Sequence, residues 1–191
     1  SPSYNQVIST IDFGNDSANR LAVSPDGARV YVLNFGDGTG DGTVSVIDTT
    51  TNTVVGSPIT VGKQPYTVAV SRDGARVYAV NYGDGAVSVI DTTTNTVVGS
   101  PISVGVRPFV AAISPDGAHL YVIDGGDVPA DYDYPSPDQA FQGKVWVIDT
   151  ATDTVVGSPI AFGTTVPTDD GNGFDDGNGF RVGSSVVSPD G

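Results

Sequence analysis

The 191-residue chain is long enough for one ordinary domain, and its 22 acidic and 8 basic residues leave a net charge of −14. That charge disfavours nucleic acid and anionic membranes as partners; the absence of Cys excludes a disulfide framework and a thiolate metal site; and no apolar run reaches the roughly 20 residues needed to cross a bilayer. Every acidic residue is Asp, and with 25 Gly and 13 Pro the composition favours turns over helices.

The chain opens on Gln6-Val-Ile-Ser-Thr-Ile11, which aligns with the later Thr53 to Ile59, so it enters in the last strand of a repeat. The first full repeat then reads as four strands: Arg20 to Val23 (A), Arg29 to Asn34 (B), Thr43 to Asp48 (C) and Thr53 to Ile59 (D). Val, Ile, Thr and Tyr dominate these runs. Strand B is apolar on both faces, Val30 and Val32 on one and Tyr31 and Leu33 on the other, so its sheet must be sandwiched between neighbours. Between A and B stands Ser24-Pro-Asp-Gly27, with the residues of a tight turn and a left-handed Gly at its end. The turn returns at Ser71, Ser114 and Ser188, after 47, 43 and 74 residues, with Arg72 in place of Pro in the second copy. The segment Val46 to Ile59 is repeated letter for letter at Val89 to Ile102. It comes back at Val147 to Ile160 with Ala151 for Thr50 and Asp153 for Asn52. Strand-and-turn repeats of roughly 40–45 residues are the signature of propeller blades.

The expected fold is therefore all-β: a β-propeller segment of about three four-stranded antiparallel blades with one flanking strand at each end. Its units are residues 1–14 (outer strand of a preceding or closing blade), 20–62, 63–105 and 106–162 (three blades), and 163–191 (an insertion and the first strand of a fourth). Lacking an initiator Met and stopping on a turn, the chain reads as a piece of something longer. Its two open flanks call for further blades, a partner chain or self-association.

Tyr31-Val-Leu-Asn34, Tyr78-Ala-Val-Asn81 and Tyr121-Val-Ile-Asp124 resemble the signature tetrapeptide of the YVTN family of β-propeller repeats, although the third position is never Thr and the last copy ends in Asp. The resemblance covers nearly the whole chain outside two insertions. It implies a propeller, commonly seven-bladed, in secreted or surface-layer proteins of bacteria and archaea.

Function is expected where the repeat breaks. The second B–C connection is a short Asp-Gly hairpin, Tyr82 to Ala86, whereas the third runs from Gly125 to Lys144 and the following D–A connection from Gly163 to Arg181. A smaller B–C extension covers Phe35 to Gly42. Strands of a blade alternate in direction, so all three departures belong on one face, and long loops on a rigid scaffold are where binding concentrates. The candidate binding residues are Asp127, Asp131, Tyr132, Asp133, Tyr134, Asp138, Phe141 and Trp146 from the first insertion and its flank. Asp169, Asp170, Phe174, Asp175, Asp176 and Phe180 are the candidates from the second. Oxygen ligands between Gly residues suit Ca²⁺, with Asp37, Asp41, Asp169, Asp170, Asp175 and Asp176 as ligands; the same residues also serve plain solvated turns. Trp146 stands where the other blades have Ser45 and Ser88, packed under the long loop or offered as a stacking platform for a sugar.

Asp48, Asp91 and Asp149 recur with the fold and are expected as turn caps. The single His119 takes the position of Arg29 and Arg76 and has no nucleophile in phase with it. Arg20, Lys63 and Arg107 precede strand A near the same face and are candidate salt-bridge partners of the Asp loops. No catalytic residues emerge, and the leading expectation is a non-enzymatic extracellular or cell-surface scaffold that binds protein or glycan through its loop-rich acidic face. Two alternatives stand beside it: a fragment of a lactonase-like or haem-carrying propeller enzyme, and a structural subunit of a surface layer or filament.

Overall fold

The computed structural model describes Val7 and residues 9–13, 18–36, 40–126 and 142–163. Its strands are β1 (Ala18–Val23), β2 (Arg29–Asn34), β3 (Asp41–Asp48), β4 (Thr53–Lys63), β5 (Pro65–Val70), β6 (Arg76–Asn81), β7 (Ala86–Asp91), β8 (Thr96–Ser103), β9 (Pro108–Ile113), β10 (His119–Asp124), β11 (Gln142–Asp149), β12 (Thr154–Val155) and β13 (Ile160–Gly163). They form three antiparallel meanders: β1–β4 (blade one), β5–β8 (blade two) and β9–β13 (blade three). No helix occurs among the described residues. This is the expected all-β, three-bladed propeller segment. Strand A begins at Ala18, two residues earlier than its sequence suggests, and β4 runs on to Lys63.

The D strand of each blade steps out of register midway, and β4 does so a second time, between its pairings with Asp41 and Thr43. Val44 faces Ile59 while Val46 faces Val55, so the Gly-Ser-Pro segment between them bulges outward. In blade three the same step splits strand D into β12 and β13, both on β11. Of the entering segment Gln6 to Ile11, the described residues Val7 and 9–11 belong to no strand; the fourth-blade strand Gly183 to Ser188 lies outside the described residues.

The core sits between blades. Tyr31, Leu33, Val44 and Val46 of blade one close on Val68, Val77, Ala79 and Ile90 of blade two. Tyr78, Val80, Val87 and Val89 of blade two close on Leu120, Val122 and Ile148 of blade three. Strand B of blade two therefore uses both faces, one toward the preceding blade and one toward the next. These are called below the leading face and the trailing face.

Candidate functional site

The blades have two unlike ends. At the A–B and C–D end, six described carboxylates that recur with the repeat each cap their own turn. Ser24 Oγ donates to Asp26 Oδ1 at 2.6 Å, the same oxygen accepts from the Ala28 N–H, and Gly27, at φ 71, closes the turn on Ser24 O. Asp73 and Asp116 repeat the arrangement with Ser71 and Ser114. In the C–D turns Asp48 Oδ1 accepts the N–H groups of Thr50 and Thr51, and Asp91 and Asp149 do likewise. The turn cap expected of these three residues is what they form. Hydrogen bonds from Ser24, Ser71 and Ser114 hold the Asp26, Asp73 and Asp116 carboxyls below the usual carboxylate range; backbone N–H groups do the same for Asp48, Asp91 and Asp149. In each of the six, one carboxylate oxygen is committed to the turn it caps.

This end also carries the joints between blades. Arg29 at the start of β2 reaches across to the next C–D turn, where Nη1 donates to Thr92 O at 2.9 Å and to Asn95 Oδ1 at 3.3 Å. One blade on, the Arg76 guanidinium lies 2.6 Å from Asp91 and 3.9 Å from Asp153, and the Tyr78 hydroxyl donates to Asp153 Oδ1 at 3.2 Å. Burial, reinforced by the Asp153 charge, pushes the Tyr78 hydroxyl well above the usual tyrosine range. A cleft of about 140 Å³ between the blade-two and blade-three turns is lined by Arg72, Arg76, Asp73 and Asp116.

The opposite end, where B–C and D–A connections emerge, is built differently. Strand B ends there in Asn34, Asn81 or Asp124, each buried. Asn34 Nδ2 donates to Thr43 and Ser45, and Asn81 Nδ2 to Ser88, tying strands B and C. Blade three has neither partner, because Trp146 replaces the Ser, and Asp124 turns to other work. Its Oδ1 accepts the N–H groups of Val106, Arg107 and Gly126, clamping the D–A connection from blade two. In blade two Asp84 holds the preceding connection through the Lys63 N–H at 2.7 Å. Gly85 sits at φ 62 with no room for a Cβ, which would meet the Gly105 carbonyl. The connections at this end are thus seated one upon the next.

Above the clamps lies a rim of aromatic residues. The Arg20 guanidinium stands 5.3 Å from the centroid of the Tyr66 ring, within cation–π range. Tyr66 in turn tilts against Tyr82, centroid to centroid 6.2 Å. In blade three the Phe109 ring lies over Gly125, where an added Cβ would stand 3.4 Å from it. Sequence reasoning passed over Tyr66 and Tyr82 because they occur within the repeat. Their signal is an aromatic in phase after Pro65 and Pro108 and another directly after strand B, at Phe35 and Tyr82.

Of the predicted site residues, Trp146 and Asp41 are described. Trp146 packs against the core between blades two and three, partly buried, and its Nε1 has no partner among the described residues, so its ring serves the joint. Asp41 is exposed at the start of β3. Asp37, Asp127, Asp131, Tyr132, Asp133, Tyr134, Asp138, Phe141, Asp169, Asp170, Phe174, Asp175, Asp176 and Phe180 lie outside the described residues. The strands that carry the two insertions are described, and Gln142 pairs with Gly163; both insertions therefore leave from one end of blade three, the end of the aromatic rim. Among the described residues no three His, Asp, Glu or Cys side chains gather in a manner that holds a metal.

The family described as Lactonase, 7-bladed beta-propeller, matches residues 7–128. Among solved structures the chain is similar to the hydrazine synthase of Kuenenia stuttgartiensis, at 26% identity and a TM-score of 0.60, over 82% of this chain and 41% of that one. It is also similar in fold to U3-55K, at 12% identity and a TM-score of 0.56, over 76% and 40% of the two chains. The chain thus spans about two fifths of the length of these structures. No curated protein matches it.

Proposed function

Since the chain belongs to the family of seven-bladed lactonase propellers, we propose that it is a rigid binding segment of an extracellular or cell-surface propeller protein. It engages a glycan or a protein through the end that bears the B–C and D–A connections. The observation that carries this reading is the contrast between the two ends. One end spends polar groups on its own turns and on the joints between blades, whereas the other presents Arg20, Tyr66 and Tyr82 beside the connections that vary from blade to blade. Tyr and Arg are the side chains that anchor binding surfaces, because they offer large rigid area with a polar tip.

Titration of the protein against immobilised glycans and candidate surface proteins tests the reading. Loss of a stacking face is worth about 0.5–1.5 kcal/mol, so Tyr66→Ala and Tyr82→Ala are expected to weaken binding about 2- to 10-fold. Thr50→Ala, at the far end, leaves it unchanged. Equal effects from both ends would refute it. Calcium on Asp37, Asp41 and the Asp pairs of the second insertion belongs to the same reading, and a melting temperature unmoved between calcium and chelator would remove it. A second reading, hydrolysis of a lactone, is favoured by the family match. Acid release from a lactone panel, abolished by changes at the same end, would select it over simple binding.

A further inference from the structure

The letter that breaks the A–B turns is Arg72, which stands where the other copies of Ser-Pro-Asp-Gly have Pro, at Pro25 and Pro115. It lies at the end remote from the aromatic rim, on the cleft of about 140 Å³ between the turns of blades two and three. The other residues lining that cleft each have the same letter one blade earlier: Arg76 corresponds to Arg29, Asp73 to Asp26 and Asp116 to Asp73. The two joints therefore share the frame of the cleft, and Arg72 is what the second adds to it.

The Arg72 stem crosses the blade-three turn. A Cβ on Gly117 would stand 3.0 Å from Arg72 Cβ and 3.1 Å from its Cγ, whereas Pro25 holds that place over Gly74, 3.6 Å from the same point. Beyond the stem the Arg72 head is exposed, and it makes no hydrogen bond or ion pair among the described residues. Arg76 is already engaged: its Nη1 bonds Asp91 and Ala75 O, and its Nε stands 3.9 Å from Asp153. Asp73 and Asp116 commit Oδ1 to their turns, and Oδ2 of each has no partner among the described residues. The cleft thus offers one available guanidinium fork and two available carboxylate oxygens. A plain anion would meet the two carboxylates as like charges, and a plain cation would meet the guanidinium. A molecule with both signs a few ångströms apart satisfies all three groups.

We propose that this cleft binds a small amino acid as its zwitterion. The ligand carboxylate takes the Arg72 fork, in the bidentate pairing for which a guanidinium is shaped. The ligand ammonium, with three donors, bonds Oδ2 of Asp73 and of Asp116. The volume falls well below the roughly 300–1,000 Å³ of a drug-sized pocket, so the cleft holds the charged head and leaves a side chain to solvent. This site is separate from the rim at the opposite end, and neither reading depends on the other.

Amide NMR of the whole chain during titration with glycine tests it. The signals of Asp73, Gly117 and Thr150 are expected to shift and to saturate together. Glycinamide, which lacks the carboxylate, and N-acetylglycine, which lacks the ammonium, should each bind at least about 10-fold more weakly, because each leaves a charged partner unmet. Arg72→Pro restores the residue of the other turns, so the fold is kept, and it should weaken glycine by about 10-fold or more. Asp116→Asn keeps an oxygen for the Ser114 cap while removing the charge, and should weaken glycine about 3- to 10-fold. Adding Pro25→Arg to Arg72→Pro rebuilds the same set of groups one joint earlier, and should move the saturating shift from Gly117 to Gly74. Shifts that never saturate, half-ligands that bind as tightly as glycine, binding that survives Arg72→Pro or is untouched by Asp116→Asn, or a double variant that binds at neither turn would each overturn the proposal.

Discussion

The repeat supplies its own control for how much one blade gains from the next. Val44 and Val145 are the same residue at the same position of strand C, each on a trailing face. Val44 is fully buried against blade two, whereas Val145 is only partly buried. Val44→Ala removes two buried methyl groups, worth about 1.6 kcal/mol at about 0.8 kcal/mol each. The hole left behind, about 40 Å³ at about 24 cal/mol per Å³, adds about 1 kcal/mol. The expected loss is therefore about 2.5 kcal/mol. For Val145→Ala part of the transfer term is already spent in water and no closed cavity forms, so the loss should stay below about 1 kcal/mol. Urea unfolding in dilute protein, followed by the fluorescence of the single Trp146 and by circular dichroism, reads both. With a slope of about 2–3 kcal/mol per molar, Val44→Ala moves the midpoint by about 1 M and Val145→Ala by less than about 0.5 M. Equal shifts would refute the argument that the next blade is what buries this face.

Gly85→Ala is expected to cost more than about 1 kcal/mol, because φ is positive there and the new Cβ meets the Gly105 carbonyl; thermal melting with a retained β-sheet spectrum checks it. Asp26, Asp48, Asp73, Asp91, Asp116 and Asp149 titrate lower in the folded state than when unfolded. Their contribution is fully present above about pH 4 and is lost as pH falls through the folded values. Urea midpoints should accordingly decline below about pH 4. Tyr31 and Tyr78 shift the other way, so their contribution holds up to about pH 10 and is lost above it; a midpoint that stays level into strong alkali would contradict their burial. Asp153→Asn puts the blade-one-to-two type of acceptor into the second joint and should change stability by less than about 0.5 kcal/mol while lowering its sensitivity to salt, measured as melting temperature at low and high ionic strength.

The legible parts of this chain are those that short-range chemistry governs. Ser-Pro-Asp-Gly and Asp-Thr-Thr-Thr-Asn specify their turns through side chains that bond two or three residues away, so their geometry is readable wherever the letters occur. The alternation of strand B announces that both faces are covered, and the phase of the repeats announces blades. The aromatic rim was less legible, because Tyr66 and Tyr82 look like ordinary strand residues until a third group, Arg20, is brought from another blade. Arg20, Lys63 and Arg107 illustrate the same limit. Arg20 stands over a ring, and the backbone N–H groups of Lys63 and Arg107 bond Asp84 and Asp124, whereas the Asp-rich insertions expected as their side-chain partners lie outside the described residues.

The sequence by itself determined the all-β character, the strand order, the turn types and the end of each blade from which the insertions depart, because these depend on contacts within one repeat. The tertiary structure alone decided which of three equivalent residues is buried. Tyr31, Tyr78 and Tyr121 are the same letter in the same register, yet the first two are sealed and the third is only partly covered. It also decided that Trp146 fills a joint and that Asp124 clamps the connection before it. The physical reason is one of range: a turn is closed by its own residues, whereas the burial of a face is a property of the neighbour that lies upon it.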